Sequence, residues 1–180
     1  IKGNSPAGLT TLMFESLAVR SGDEPDTIYG LVAEEIQVAP DKSWVAFRID
    51  PKARYTNGGP VTAGDVKHSF EMMKSAEVSP ATRTQYESIA GATVLDARTI
   101  RFDLKERTND AIYNAAGLPV FSPKWLDGPD GKRRKLSDVV NDYPITTGPY
   151  TIAKAEMPRR IEFARDPNYF GMVYGWIEDP

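Results

Sequence analysis

No cysteine occurs anywhere in this chain, which excludes disulfides, thiolate metal sites and a cysteine nucleophile at once. A single histidine, His68, leaves no recognisable ligand spacing for a metal held by protein side chains, so neither a metal site nor a cofactor is expected. Apolar runs stay well short of the about 18 residues that a membrane-spanning helix needs. Neither sign of charge dominates: 22 basic and 25 acidic residues leave a formal net charge of −3, with no pull toward nucleic acid or an anionic membrane. Phosphate-binding and hydrolase signatures are missing as well, because no P-loop, G-x-G-x-x-G or G-x-S-x-G stretch is present around Ser16, Ser69 or the glycines. Glu34 and Glu35 are neighbours on an expected strand and should face opposite ways, so they do not form a natural carboxylate dyad.

What is present is an ordinary globular composition. With 180 residues, 41% of them hydrophobic and 10% aromatic, the chain can close one good core or two small ones. A chain of this size buries roughly 70% of its unfolded surface. The most informative stretch runs from Trp44 to Met73. Val45, Phe47 and Ile49 recur at every second position and define one face of a strand. Thr62 then stands where a helix N-cap belongs, with Asp65 three residues on to meet the free amides and the positive end of the helix dipole. Val61 and Val66 form a hydrophobic staple, and Val66, Phe70 and Met73 make one apolar stripe. Asn57-Gly58-Gly59-Pro60 supplies the positive φ angles and the sharp entry that this strand-to-helix turn requires.

Elsewhere the pattern predicts a short amphipathic helix over Leu9, Leu12, Met13, Ser16 and Leu17, packed on strands that return at the end. Hairpins are expected from Glu35–Val38 with Trp44–Ile49, from Ala92–Leu95 with Thr99–Leu104, and from Tyr150–Ala155 with Arg160–Ala164. A helix starts with Asn109 as N-cap and ends near Gly117 in a left-handed C-cap. Asp127 to Lys135 reads as a polar, turn-rich loop, after which Ser137 caps a short helix through Val140. Hairpins interleaved with capped helices argue for a mixed α/β domain rather than a doubly wound parallel sheet.

Tyr55-Thr56-Asn57-Gly58-Gly59-Pro60-Val61-Thr62-Ala63-Gly64-Asp65-Val66 also resembles the signature of family 5 extracellular solute-binding proteins, the receptors of ABC importers for peptides, nickel and related solutes. Met13-Phe14-Glu15-Ser16-Leu17, Leu31-Val32-Ala33-Glu34, Asp96 to Phe102, Thr147-Gly148-Pro149-Tyr150 and Asp166 to Gly171 extend the likeness in the expected order over nearly the whole chain. Ala18 to Pro25 with Tyr29-Gly30-Leu31 is most similar to the YejA-like branch, associated with oligopeptides. Thr146, where relatives commonly carry glycine, and Asn57, where they commonly carry aspartate, depart from the pattern.

The resemblance implies a class II periplasmic-binding-protein architecture: residues 1–32 begin the first lobe, 33–144 form an inserted hairpin-rich subdomain, and 145–180 return to the lobe. The start at Ile1 without methionine and the end at Pro180 then lead us to expect a piece of a longer, two-lobed receptor whose second lobe and secretion leader lie outside this chain. The implied function is capture of oligopeptides or peptide-like solutes in the periplasm of a Gram-negative bacterium and delivery to an inner-membrane permease, by a monomer and without chemical conversion. Related receptors take peptides, metal chelates, haem, sugars or antibiotics, so the exact ligand stays open. The competing readings are an interaction module that docks to a permease and, further off, a periplasmic hydrolase, which would need two converging carboxylates. Peptide receptors wall their ligands with apolar and aromatic groups. On that ground Phe14 and Glu15 near the start, and Thr146, Thr147 and Tyr150 at the return, are placed nearest the cleft. Phe14 and Tyr150 suit core positions more readily than ligand contacts, and Thr146 and Thr147 suit a cap on the turn before Gly148.

Overall fold

The computed structural model describes residues 9–128, 130–136, 143–156 and 159–171, and every sheet among them is antiparallel. In chain order the elements are α1 (Leu9–Met13), β1 (Ala18–Arg20), β2 (Ile28–Gly30), β3 (Ala33–Val38), β4 (Trp44–Ile49), α2 (Ala63–Met73), α3 (Pro80–Gln85), β5 (Ile89–Val94), β6 (Thr99–Leu104), α4 (Asn109–Ala116), a 3-10 turn (Pro123–Leu126), β7 (Tyr150–Glu156) and β8 (Arg160–Arg165). β1 pairs with β2, β7 pairs with β8, and the central sheet has the order β3-β4-β6-β5. All three expected hairpins are present, and the mixed helix and strand architecture is as the sequence suggests.

The central sheet is covered on one face. Val45, Phe47 and Ile49 of β4 and Ile100 and Phe102 of β6 are all fully buried, because the period-two alternation turns them toward α2. Phe102 meets Phe47 at 5.9 Å and Phe70 of α2 at 5.5 Å, both edge-on. α2 is fixed at its start by a complete capping box: Thr62 Oγ1 accepts from the Asp65 amide at 3.3 Å, and Asp65 Oδ2 accepts from the Thr62 amide at 3.0 Å. The turn that feeds it puts Gly58 at φ +81°, while Asn57 Oδ1 accepts from the Gly59 amide at 3.0 Å. Of the glycine pair only Gly58 takes the left-handed conformation.

Four expectations need correction. Thr108, not Asn109, caps α4: its Oγ1 accepts from the Ala111 amide at 3.2 Å, while Asn109 has entered the helix and donates its side-chain amide to Asp26. Gly117 closes that helix at φ −77° and not in the left-handed region. α1 stops at Met13, because the chain beyond it is drawn out to pair with a distant segment, Ser16 bridging Pro119 and the Val120 amide donating to the Glu15 carbonyl. Finally, a register shift between Ala33 and Glu35 breaks the strand alternation, so that Arg48 reaches both Glu34 (3.2 Å) and Glu35 (3.6 Å). The two acids share an arginine and do not act as a dyad. The expected cap at Ser137 and helix through Val140 lie outside the described residues.

Two hydrophobic clusters result. The larger lies between the central sheet, α2 and α4. The smaller gathers Leu9, Met13, Phe14, Phe121 and Trp125 beneath the β7–β8 hairpin, whose Ile152, Ile161 and Phe163 pack against it. α1 rests on β7, the returning strand, as the apolar spacing of Leu9 and Met13 implies.

Candidate functional site

Three distant segments are woven together where α1 ends. The Val120 amide donates to the Glu15 carbonyl at 3.0 Å, the Glu15 amide donates to Thr147 Oγ1 at 2.9 Å, and the Gly148 amide donates to the Met13 carbonyl at 2.8 Å. Gly148 is required for the closest of these approaches: a β-carbon there would sit 2.5 Å from the Leu12 carbonyl oxygen. Ser69 of α2 ties in a fourth segment, since its buried hydroxyl donates to the Asp65 carbonyl and accepts from the Phe121 amide at 2.8 Å. Ser69 is thus held as a structural crosslink.

Above this weave opens a cleft of ≈ 710 Å³. Its floor is aromatic: Phe14 lies 4.5 Å from Phe121, Phe121 stacks on Trp125 at 5.1 Å, and Trp125 stacks on Tyr143 at 5.8 Å with planes 7° apart. Met72 and Met73 at the end of α2 add a deformable wall, and Ser79, Thr82 and Gln85 supply neutral polar groups from α3 and its cap. Glu15 also lines the cleft, with Tyr169 donating its hydroxyl to Oε1 at 2.6 Å. Burial raises the Glu15 carboxyl above its usual range, and the Tyr169 bond works against that rise. Tyr169 is itself pushed upward by burial and by the facing carboxylate.

Of the residues singled out from sequence, Phe14 and Glu15 line this cleft. Thr147 sits directly behind Glu15, fully buried, and its hydroxyl donates onward to the Val120 carbonyl. Thr146 is equally buried but turns to Thr56, whose amide donates to the Thr146 carbonyl, and its own hydroxyl has no hydrogen-bond partner among the described residues. Tyr150 lies half-buried in β7 opposite Arg165 and does not line the cleft. Phe121, Trp125 and Tyr143 were not picked out as cleft residues. Trp125 is a packing anchor at 1% exposure, yet its ring also forms the cleft floor, and no local spacing ties it to Phe14 over a hundred residues away.

A second cavity of ≈ 550 Å³ lies on the outer face of the central sheet beside Trp44. Its arginines are ion-paired with nearby acids, Arg98 with Glu34 at 3.2 Å and Arg101 with Asp103 at 3.1 Å, although Arg101 Nε makes no hydrogen bond among the described residues. His68 is half-buried on α2, where desolvation and nearby Arg133 hold it below its usual value. Among the described residues no group of three or more His, Cys, Asp or Glu could hold a metal ion, and no helix is long and apolar enough to cross a membrane.

Residues 27–175 match the family described as bacterial extracellular solute-binding proteins, family 5, middle region. The chain belongs to that family. Among curated relatives of this family 5 chain, the Escherichia coli K12 protein YejA is 33% identical over 172 residues, covering 94% of the chain and 27% of YejA. The peptidoglycan-binding protein YepA of Agrobacterium fabrum is 30% identical over 162 residues, covering 89% of the chain and 25% of YepA. The chain therefore spans about a quarter of the length of these relatives. In fold it is similar to the oligopeptide-binding protein AppA of Bacillus subtilis, solved with a nonapeptide, at a TM-score of 0.73 and 18% identity over 93% of the chain and 34% of AppA. Family 5 proteins are class II periplasmic binding proteins, so the chain holds part of that architecture.

Proposed function

We propose that this chain forms the ligand-facing part of the first lobe of an ABC-importer receptor that captures peptides or peptide-like solutes in the periplasm. The observation that carries the reading is the aromatic cleft of ≈ 710 Å³ with Glu15 in its lining. An apolar trough with a few polar groups suits a peptide, whose side chains bury while its polar backbone finds Ser, Thr and Gln partners. Residues 1–32 and 145–180 build the lobe around α1 and the β7–β8 hairpin, and 33–144 are inserted between them. A second lobe closes over the cleft by hinge motion, and the loaded receptor docks to an inner-membrane permease. Capture involves no bond making or breaking. Phe14 and Glu15 contact ligand directly, Thr147 positions Glu15 through its amide, and Thr146 and Tyr150 support the return of the chain. The peptide-type ligand is favoured by the 30%-identical peptidoglycan-binding relative.

The test is a thermal-shift screen of the full-length gene product and of this 180-residue chain against short peptides, muropeptides, metal chelates and sugars. A ligand that binds only the native state at 100 times its Kd stabilises it by about 2.7 kcal/mol. Peptides or muropeptides are expected to raise the melting temperature of the full-length product, with the chain alone binding at about 1 mM or weaker, which corresponds to about 4 kcal/mol. A shift produced solely by chelates or sugars would overturn the ligand class. Micromolar binding by the chain alone would overturn the need for a second lobe.

A further inference from the structure

Among the described residues, Glu15 is the single charged side chain lining the cleft; the rest of the lining is apolar, aromatic or neutral polar. Its place is fixed from behind by the Thr147 hydroxyl and the Val120 amide, which hold its backbone, and by Tyr169, which holds Oε1. Oε2 has neither a hydrogen bond nor an ion pair among the described residues. Several other acids are paired with arginines: Glu34 with Arg48 and Arg98, Asp41 with Arg107, Asp127 with Arg133. Glu15 has no such partner among the described residues, although it is the acid set beside the aromatic floor.

An ionised carboxylate next to apolar surface and without a counter-ion is costly, and a cation brought by the ligand removes that cost while gaining a charge-assisted hydrogen bond. The low local dielectric strengthens the attraction. An anionic ligand group at the same place meets repulsion with nothing to offset it. We propose that Glu15 makes this a cation-selective subsite, seating an amine or guanidinium of the ligand. The proposal rests on the cleft being the ligand site.

Calorimetric titration of the full-length gene product separates the two ideas. The probes are the tripeptide Phe-Lys-Phe and its counterpart acetylated at the N-terminus with norleucine for lysine, each measured on the natural protein, Glu15→Gln and Glu15→Asp. The natural protein is expected to bind the cationic peptide at least tenfold more tightly, Glu15→Gln to lose that preference by weakening the cationic peptide alone, and Glu15→Asp to keep part of it. Equal affinities in the natural protein, or a preference that survives in Glu15→Gln, would overturn cation selection while leaving the cleft as ligand site. Binding of neither peptide to the natural protein at millimolar concentration would overturn both.

Discussion

Glu15 shows how one residue can be set against its own environment. Its carboxyl is raised by burial, so the folded state binds a proton more readily than the unfolded chain. The stability tied to that proton is fully present below the unfolded value and is lost as pH rises through the higher folded one. Glu15→Gln keeps an oxygen to accept from Tyr169 and carries no charge. The variant is therefore expected to be more stable than the natural protein at pH 7, with the advantage shrinking as pH falls into the ordinary carboxylate range. Urea midpoints at pH 7 and pH 4 measure this directly. A less stable variant at pH 7 would mean that the ionised bond to Tyr169 outweighs desolvation. Strain put in for binding at the expense of stability is what a ligand subsite would show.

At the scale of elements, α2 is the part of the fold most completely written in its own residues. Cap, staple and stripe all point to the same start and the same buried face, and each local preference agrees with the tertiary contact it makes. Thr62→Ala is expected to cost about 1 kcal/mol. In a chain of this length that lowers the melting temperature by roughly 2–4 °C. Thr62→Ser, which keeps the oxygen, should stay near the natural value, and equal losses in both would show that the capping bond to Asp65 is not the source. α4 illustrates the limit of such reading. Thr108 and Asn109 are both good caps, and the choice fell to Thr108 because the side chain of Asn109 is engaged with Asp26.

For the whole molecule the decisive feature is the crossing at Gly148, where the returning chain passes under the end of α1. Thr147 and Gly148 both donate to the Met13 carbonyl, which joins the first described element to the last hairpin. Gly148→Ala has no room without moving backbone on one side, and overpacking of that kind costs about 1–3 kcal/mol. The loss should appear in thermal unfolding, together with greater exposure of Trp125 in its fluorescence, since the aromatic floor rests on the same weave. An unchanged melting temperature would show that the crossing is slack. Such a crossing also explains how a cleft can be built from residues 14, 121, 125 and 143 at once.

The sequence by itself determined the hairpins, the capped helix α2 and the class of fold, because period-two alternation, turn chemistry and capping act between residues a few positions apart. It also pointed to Phe14 and Glu15, through an ordered set of family motifs, and to Thr147 as their neighbour at the return. Only the tertiary structure decided that Phe121, Trp125 and Tyr143 floor the cleft, that Tyr169 holds Glu15, and that Thr146 and Tyr150 stand back from it. Those relations join residues some hundred positions apart or more, such as Glu15 and Tyr169, and no local periodicity records which distant segments will share a wall. The bulge that brings Glu34 and Glu35 to one arginine was hidden for a related reason: strand alternation assumes an unbroken register, and the partner strand decides where that register breaks.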